Sequence, residues 1–142
     1  MASMSRRQIL WAGLGAVAVV VGANLVLQRG AEASGYETRA MTAADMVAEN
    51  ALIVDVRTKA EWQETGVIDG ARLVTFADPE SFLAAIKDDL APGQDLVLVC
   101  HSGRRSAAAA GALAGLIPNR IISVDGGMSR VISEGYQTVP PT

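Results

Sequence analysis

Cys100, the only cysteine of the 142 residues, ends the apolar run Leu96-Val97-Leu98-Val99 and is followed by His101-Ser102-Gly103-Arg104-Arg105-Ser106. An alanine-rich run beginning at Ala107 reads as a helix, so the thiol stands at a strand-to-helix junction. Backbone N–H groups converge there and the helix macrodipole is positive, which favours the thiolate over the thiol. A thiolate, fixed amide donors and forked guanidinium groups in one concavity would attract a compact anion and stabilise negative charge on sulfur. Gly103 suits an unusual backbone angle, and Ser106 is expected to cap the helix. The same residues have plainer uses: a lone cysteine after a valine-rich strand packs as a small core residue, and arginines at a helix start are often solvated.

The elements that must position this loop alternate along the chain. Ser34 to Ala40 is a linker running into an edge strand. Thr42-Ala43-Ala44-Asp45 has capping-box spacing and starts a helix through about Ala48, closed by Asn50. Leu52 to Val56 is continuous and β-branched, as a strand buried on both faces would be. Thr58-Lys59-Ala60-Glu61 is a second capping box, which leaves Asp55 and Arg57 at the strand's carboxyl end. A turn over Gly66 to Gly70, a short strand over Leu73 to Phe76 and a helix from Asp78-Pro79-Glu80 to about Lys87 follow. After the strand Leu96 to Val99 and the cysteine loop, a helix runs from Arg105 or Ser106 to about Leu116, before Pro118. Ile121 to Val124 is the last strand, Asp125-Gly126-Gly127 a turn, Met128 to Ser133 a short helix, and Thr138 to Thr142 a loose tail. This alternation predicts a small α/β domain with a doubly wound, largely parallel sheet, whose ligands bind beyond the carboxyl ends of the strands.

Composition narrows the function further. Half of the residues are hydrophobic but only 4% are aromatic, so the core is built from Ala, Val, Leu and Ile. Formal net charge is −3, from 12 basic and 15 acidic residues. Residues 1–33 hold three of those arginines and one glutamate, which leaves −5 on residues 34–142 and argues against a nucleic-acid surface. One cysteine and one histidine offer neither an intramolecular disulfide nor a metal-ligand cluster, and there is no dinucleotide-binding glycine fingerprint, so no cofactor or metal is expected.

Residues 1–33 read as a leader. Arg6 and Arg7 precede a nearly unbroken apolar run from Ile9 to Leu27, Ser5-Arg6-Arg7-Gln8-Ile9-Leu10 is similar to the twin-arginine export motif, and Ala31-Glu32-Ala33 offers a small-x-small cleavage site. A cleaved signal, or an uncleaved membrane anchor, would each place residues 34–142 outside the cytoplasm.

Cys100 to Ser106 resembles the active-site loop of single-domain rhodaneses. Two further stretches match in that family's order. Asp55-Val56-Arg57 with Glu61-Trp62, Gly66 and Gly70-Ala71 resembles its N-terminal signature. Asp125-Gly126-Gly127-Met128 with Glu134-Gly135-Tyr136 resembles its C-terminal one. The match spans roughly Thr38 to Val139. It implies a sulfurtransferase in which Cys100 takes a sulfane sulfur from a donor such as thiosulfate, holds it as a persulfide, and passes it to cyanide or a thiol, including a protein thiol. The amides from His101 to Arg105, across Ser102, Gly103 and Arg104, would stabilise the anionic sulfur, and Arg105 with Arg104 would orient the donor's anionic end. Asp55 would hold the loop arginine, with Arg57 in the adjoining ion-pair network. Gly66-Val67-Ile68, one extra residue before Gly66, Val131 and Gln137 depart from the pattern at scaffold positions. Two other functions share the loop. A non-catalytic persulfide carrier docking a partner would have the same residues, whereas phosphatases and arsenate reductases of this design place five residues between cysteine and arginine. Here there are four.

Overall fold

The computed structural model describes residues 35–142; the leader expected over residues 1–33 lies outside them. Among the described residues no helix is long and apolar enough to cross a membrane. Five strands, β1 (Glu37–Arg39), β2 (Leu52–Asp55), β3 (Arg72–Leu73), β4 (Leu96–Val99) and β5 (Ile121–Val124), form one sheet in the order β1-β5-β4-β2-β3. Every pairing is parallel, as the strand–helix alternation predicts. Five helices connect them: α1 (Ala43–Ala48), α2 (Lys59–Thr65), α3 (Pro79–Ile86), α4 (Arg104–Leu113) and α5 (Gly127–Ser133).

Side-chain alternation along β2, β4 and β5 divides the core between the two faces of the sheet. Ile53, Val97, Val99, Ile122 and Val124 pack with Met41 and Met46 of the first connection and with Met128 and Val131 of α5. Val54, Leu96, Leu98, Cys100 and Ile121 pack with Phe82 and Ile86 of α3 and with Ala109, Ala110 and Leu113 of α4. Alanines on α4 let that helix lie close to the strand that carries the cysteine.

Local sequence fixes the helix starts. The Thr42 hydroxyl accepts from the Asp45 N–H at 3.1 Å while the Asp45 carboxylate accepts from the Thr42 N–H at 2.8 Å. Thr58 and Glu61 repeat this reciprocal cap, and Asp78 accepts from the Ser81 N–H ahead of Pro79.

Three boundaries differ from the sequence reading. Helix α4 stops at Leu113 and not near Leu116, because Ala114 turns to an extended ψ and Gly115 takes φ +80°. Regular pairing in β3 covers only Arg72–Leu73, although the Val74 and Phe76 N–H groups still donate to Asp55 and Val56 of the neighbouring strand. The tail is not loose: Val139 exchanges two backbone hydrogen bonds with Val67, at 2.9 and 3.0 Å, and the Thr138 hydroxyl donates to the Thr65 carbonyl.

Candidate active site

β4 delivers Cys100 to the carboxyl end of the sheet, and the chain must then reverse within three residues to start α4. Gly103 makes the reversal with φ +92°, in a space where an added Cβ would lie 3.1 Å from both the Gly126 nitrogen and the Val124 carbonyl oxygen. The turn Asp125-Gly126-Gly127 therefore supports the loop from behind. A Cβ on Gly127, itself at φ +54°, would come within 2.3 Å of the Cys100 carbonyl oxygen, so only glycine fits. The first amides of α5 complete the brace: Met128 N–H donates to the Cys100 carbonyl at 2.7 Å and Ser129 N–H to that of His101 at 2.9 Å. With its carbonyls held on that side, the loop turns amides toward the sulfur.

The Cys100 Sγ accepts from the Gly103 N–H at 3.1 Å, and the Ser106 hydroxyl lies 3.5 Å away. Burial pushes the thiol up and is the largest single influence. The Ser106 hydroxyl and the N–H groups of Ser106, Ser102 and Gly103 together outweigh it, so the thiol titrates below its ordinary value. The cysteine is fully covered, and its cradle is the unpaired first turn of α4.

Ser106 is not the expected N-cap. Gly103 occupies that position without a side-chain cap, and Ser106 lies inside the first turn, donating to the Gly103 carbonyl at 3.1 Å and facing the sulfur. Behind it stands Ser123 of β5, fully buried, whose hydroxyl donates to that of Ser106 at 2.9 Å. With one lone pair of Ser106 occupied by Ser123, the single Ser106 proton is left for Gly103 or the sulfur. Ser123 is thus a positioning residue. Ser123→Ala should raise the pH midpoint of iodoacetamide alkylation of Cys100 by roughly 0.5–1 unit; an unmoved midpoint would give Ser123 a packing role only.

The two ion pairs near the loop are partnered differently from the sequence expectation. Asp55 does not hold the loop arginine. Its carboxylate accepts from Arg57 Nη2 at 2.7 Å and from Arg57 Nε at 3.0 Å, with both side chains fully buried. Arg57 then reaches the Thr65 hydroxyl at 2.6 Å and the Gly66 carbonyl at 2.8 Å, tying the end of β2 to the end of α2. Arg105 is instead gripped in fork-to-fork geometry by Glu61 of α2, at 2.8 and 2.5 Å. The Arg105 guanidinium chiefly, aided by the N–H and hydroxyl of Thr58 against the opposing effect of burial, holds the Glu61 carboxyl down to about 2 from 4.5. Because this pKa is lowered on folding, the bridge contributes fully above pH 4.5 and is lost as pH falls through about 2. The difference in urea midpoint between wild type and Glu61→Gln should therefore be full at neutral pH and shrink between those two values; a pH-independent difference would contradict the bridge.

Arg104, Ser102, Arg105 and Ala108 line an open cavity of ≈ 410 Å³. A second, of ≈ 370 Å³, lies among Val56, Thr58, Thr75, Phe76 and Ala109, and shares Arg105 and Ala108 with the first. His101 is exposed, its ring nitrogen 3.2 Å from the Ser129 hydroxyl. Among the described residues no cluster of His, Cys, Asp and Glu could hold a metal ion.

Sequence reasoning placed Cys100, Ser102, Gly103 and Ser106 around one sulfur but assigned no site role to Glu61 or Ser123. Glu61 was legible as a cap and as part of the stretch Glu61-Trp62, but no local signal showed its grip on Arg105, 44 residues away. A serine inside the otherwise apolar Ile121–Val124 strand was the signal for Ser123.

The chain matches the family model of the rhodanese-like domain over residues 39–134. No curated protein matches it. Among solved structures it is similar to a rhodanese-related protein from Thermoplasma volcanium, with 28% identity and a TM-score of 0.54, covering 72% of this chain and 99% of that one. It is also similar to a protein of unknown function from Rhodopseudomonas palustris, described as a possible tyrosine phosphatase, with 28% identity and a TM-score of 0.55 over 75% of this chain and 86% of that one. A rhodanese-like domain protein from Staphylococcus aureus, 24% identical with a TM-score of 0.52 over 72% and 98% of the two chains, shares the fold. The matched region takes in the cysteine loop, both buried hydroxyls behind it and the glycine turn that braces it, and the chain accordingly belongs to the rhodanese-like domain family.

Proposed function

We propose that this protein is a sulfurtransferase of the thiosulfate:acceptor type, with Cys100 as the nucleophile. The observation that carries the reading is the sulfur's surroundings: a thiol lowered in pKa by Ser106 and by the amides of Ser102 and Gly103 at the mouth of a short loop. The Cys100 thiolate attacks the outer sulfur of thiosulfate; a new S–S bond forms, the old one breaks, and its electron pair leaves with sulfite. Negative charge now rests on the terminal sulfur of the persulfide, where loop amides act as oxyanion-hole donors do for oxygen. Cyanide or a thiolate, including that of a partner protein, then takes this sulfur and regenerates the thiolate. No resident cofactor enters either step. The apolar leader over residues 1–33 favours a place of action outside the cytoplasm.

Intact-mass measurement on protein treated with thiosulfate tests the first half-reaction, and steady thiocyanate release on adding cyanide tests the second. One sulfur gained and then discharged with continued turnover is the expected result. Loading once without turnover would mark a persulfide carrier. Hydrolysis of p-nitrophenyl phosphate without sulfur loading would mark a phosphatase, a reading that the four-residue spacing between Cys100 and Arg105 disfavours.

A further inference from the structure

Two aspartates of the chain are followed directly by glycine, in Asp69-Gly70 and Asp125-Gly126. At such a pair no Cβ shields the glycine amide, whose nitrogen can close a five-membered ring on the aspartate side chain. Both aspartates are exposed, and the glycines hold nearly the same φ, +76° and +74°. Local sequence and backbone angle therefore do not separate them.

Their surroundings do. Asp69 and Gly70 are the central residues of a turn between α2 and β3, closed by a hydrogen bond from the Ala71 N–H to the Ile68 carbonyl at 3.1 Å. A Cβ on Gly70 would meet nothing within 4 Å, so the tip of the turn has open space around it. The Asp69 N–H donates to the Tyr136 hydroxyl at 2.9 Å, while its carboxylate has no partner among the described residues.

Asp125-Gly126 is clamped. The Asp125 N–H donates to the Arg39 carbonyl of β1 at 2.9 Å, and the Gly126 carbonyl accepts from the Arg130 N–H at 3.3 Å. The Asp125 carboxylate lies 3.6 Å from Arg130 Nη1. A Cβ on Gly126 would come within 2.7 Å of the Arg130 Cβ, and one on Gly127 within 2.3 Å of the Cys100 carbonyl oxygen. Turning the Gly126 nitrogen against the Asp125 carboxyl thus requires α5 to lift from the cysteine loop.

We propose that Asp69 is a site of spontaneous modification in the folded protein, rearranging to isoaspartate through a succinimide with Gly70, and that the fold protects Asp125 from the same change. Water alone balances the chemistry. The Gly70 amide nitrogen bonds to the Asp69 Cγ, and its proton leaves with the carboxyl hydroxyl as water. A second water opens the ring at the Asp69 main-chain carbonyl carbon and breaks its bond to the Gly70 nitrogen. The chain then runs through the side chain, a free carboxylate stands on Cα, and the mass returns to its starting value. That new α-carboxylate is the group a protein-isoaspartate carboxyl methyltransferase methylates. None of these steps involves Cys100.

The test ages the whole protein for weeks at neutral pH and physiological temperature, in buffer and in parallel in guanidinium chloride. Tryptic peptides Ala60–Arg72 and Ile121–Arg130 each carry one of the two aspartates and no other, so isoaspartyl forms are counted as separately eluting peaks of unchanged mass. In the folded protein Asp69 should hold at least roughly tenfold more isoaspartate than Asp125, which must first break its bonds to Arg39 and Arg130. In denaturant the two should react alike. Methyl transfer from S-adenosylmethionine to the aged folded protein should drop severalfold in Asp69→Glu, whose longer side chain would have to close a less favourable ring, and stay unchanged in Asp125→Glu. Equal isoaspartate at the two sites in the folded protein, an unmodified Asp69 there, or methyl transfer that survives Asp69→Glu would each overturn the proposal. So would a preference for Asp69 that persists in denaturant, since the fold would then not be its cause.

Discussion

Cys100→Ser is expected to leave the fold standing and to lower thiocyanate formation from thiosulfate and cyanide by at least about 10³-fold, as removal of a covalent nucleophile does elsewhere. The serine oxygen would occupy nearly the same place, still within reach of the Gly103 N–H and the Ser106 hydroxyl that the sulfur uses now. The buried polar atom is therefore satisfied, and the cost in stability should be about 1 kcal/mol. A hydroxyl, however, stays protonated in a cradle that brings a thiol only modestly below its ordinary value, and oxygen forms no persulfide. Intact mass after thiosulfate treatment should show sulfur on the wild type alone. A serine variant that keeps substantial turnover would move the chemistry away from this loop altogether.

Arg57→Met is expected to cost about 3–5 kcal/mol, because it strands the carboxylate of Asp55 in a fully buried position with its partner gone. Arg57 also carries the Thr65 hydroxyl and the Gly66 carbonyl, so its loss unties the end of α2 from the sheet. A domain of this size holds only about 5–15 kcal/mol in all, and the variant should approach half-unfolding under mild urea. The double variant Asp55→Leu with Arg57→Met removes the stranded charge and should recover a large part of the loss, which separates a buried-charge penalty from lost packing. Urea midpoints of the two proteins decide it: a double variant no more stable than Arg57→Met would assign the cost to the arginine's other contacts.

The sheet and its parallel order were readable because each strand carries its own signal: four consecutive buried residues in β4 and in β5, and β-branched residues in β2. Capping residues gave the starts of α1, α2 and α3 for the same reason, since the partners lie three residues apart. What sequence could not place were pairings across distance. Arg105 and Glu61 are 44 residues apart, and nothing local distinguishes a glutamate that caps a helix from one that also grips an arginine two strands away. The expectation that Asp55 would meet the loop arginine failed because Arg57, two residues on, is close enough to close a ring with it first. Ser106 was misread as a cap since Gly103, at φ +92°, starts the helix earlier than side-chain preferences imply.

The amides and glycines that press on the back of the cysteine loop come from α5 and the turn before it, late in the chain. As the polypeptide is made, the cysteine leaves the ribosome ahead of the segment that shapes its surroundings. Until that last turn docks, the loop lacks the Met128 and Ser129 donors that hold the Cys100 and His101 carbonyls away from the sulfur. Nucleophilicity in this molecule is accordingly a property of the finished chain, and its appearance can serve as a clock for the end of folding.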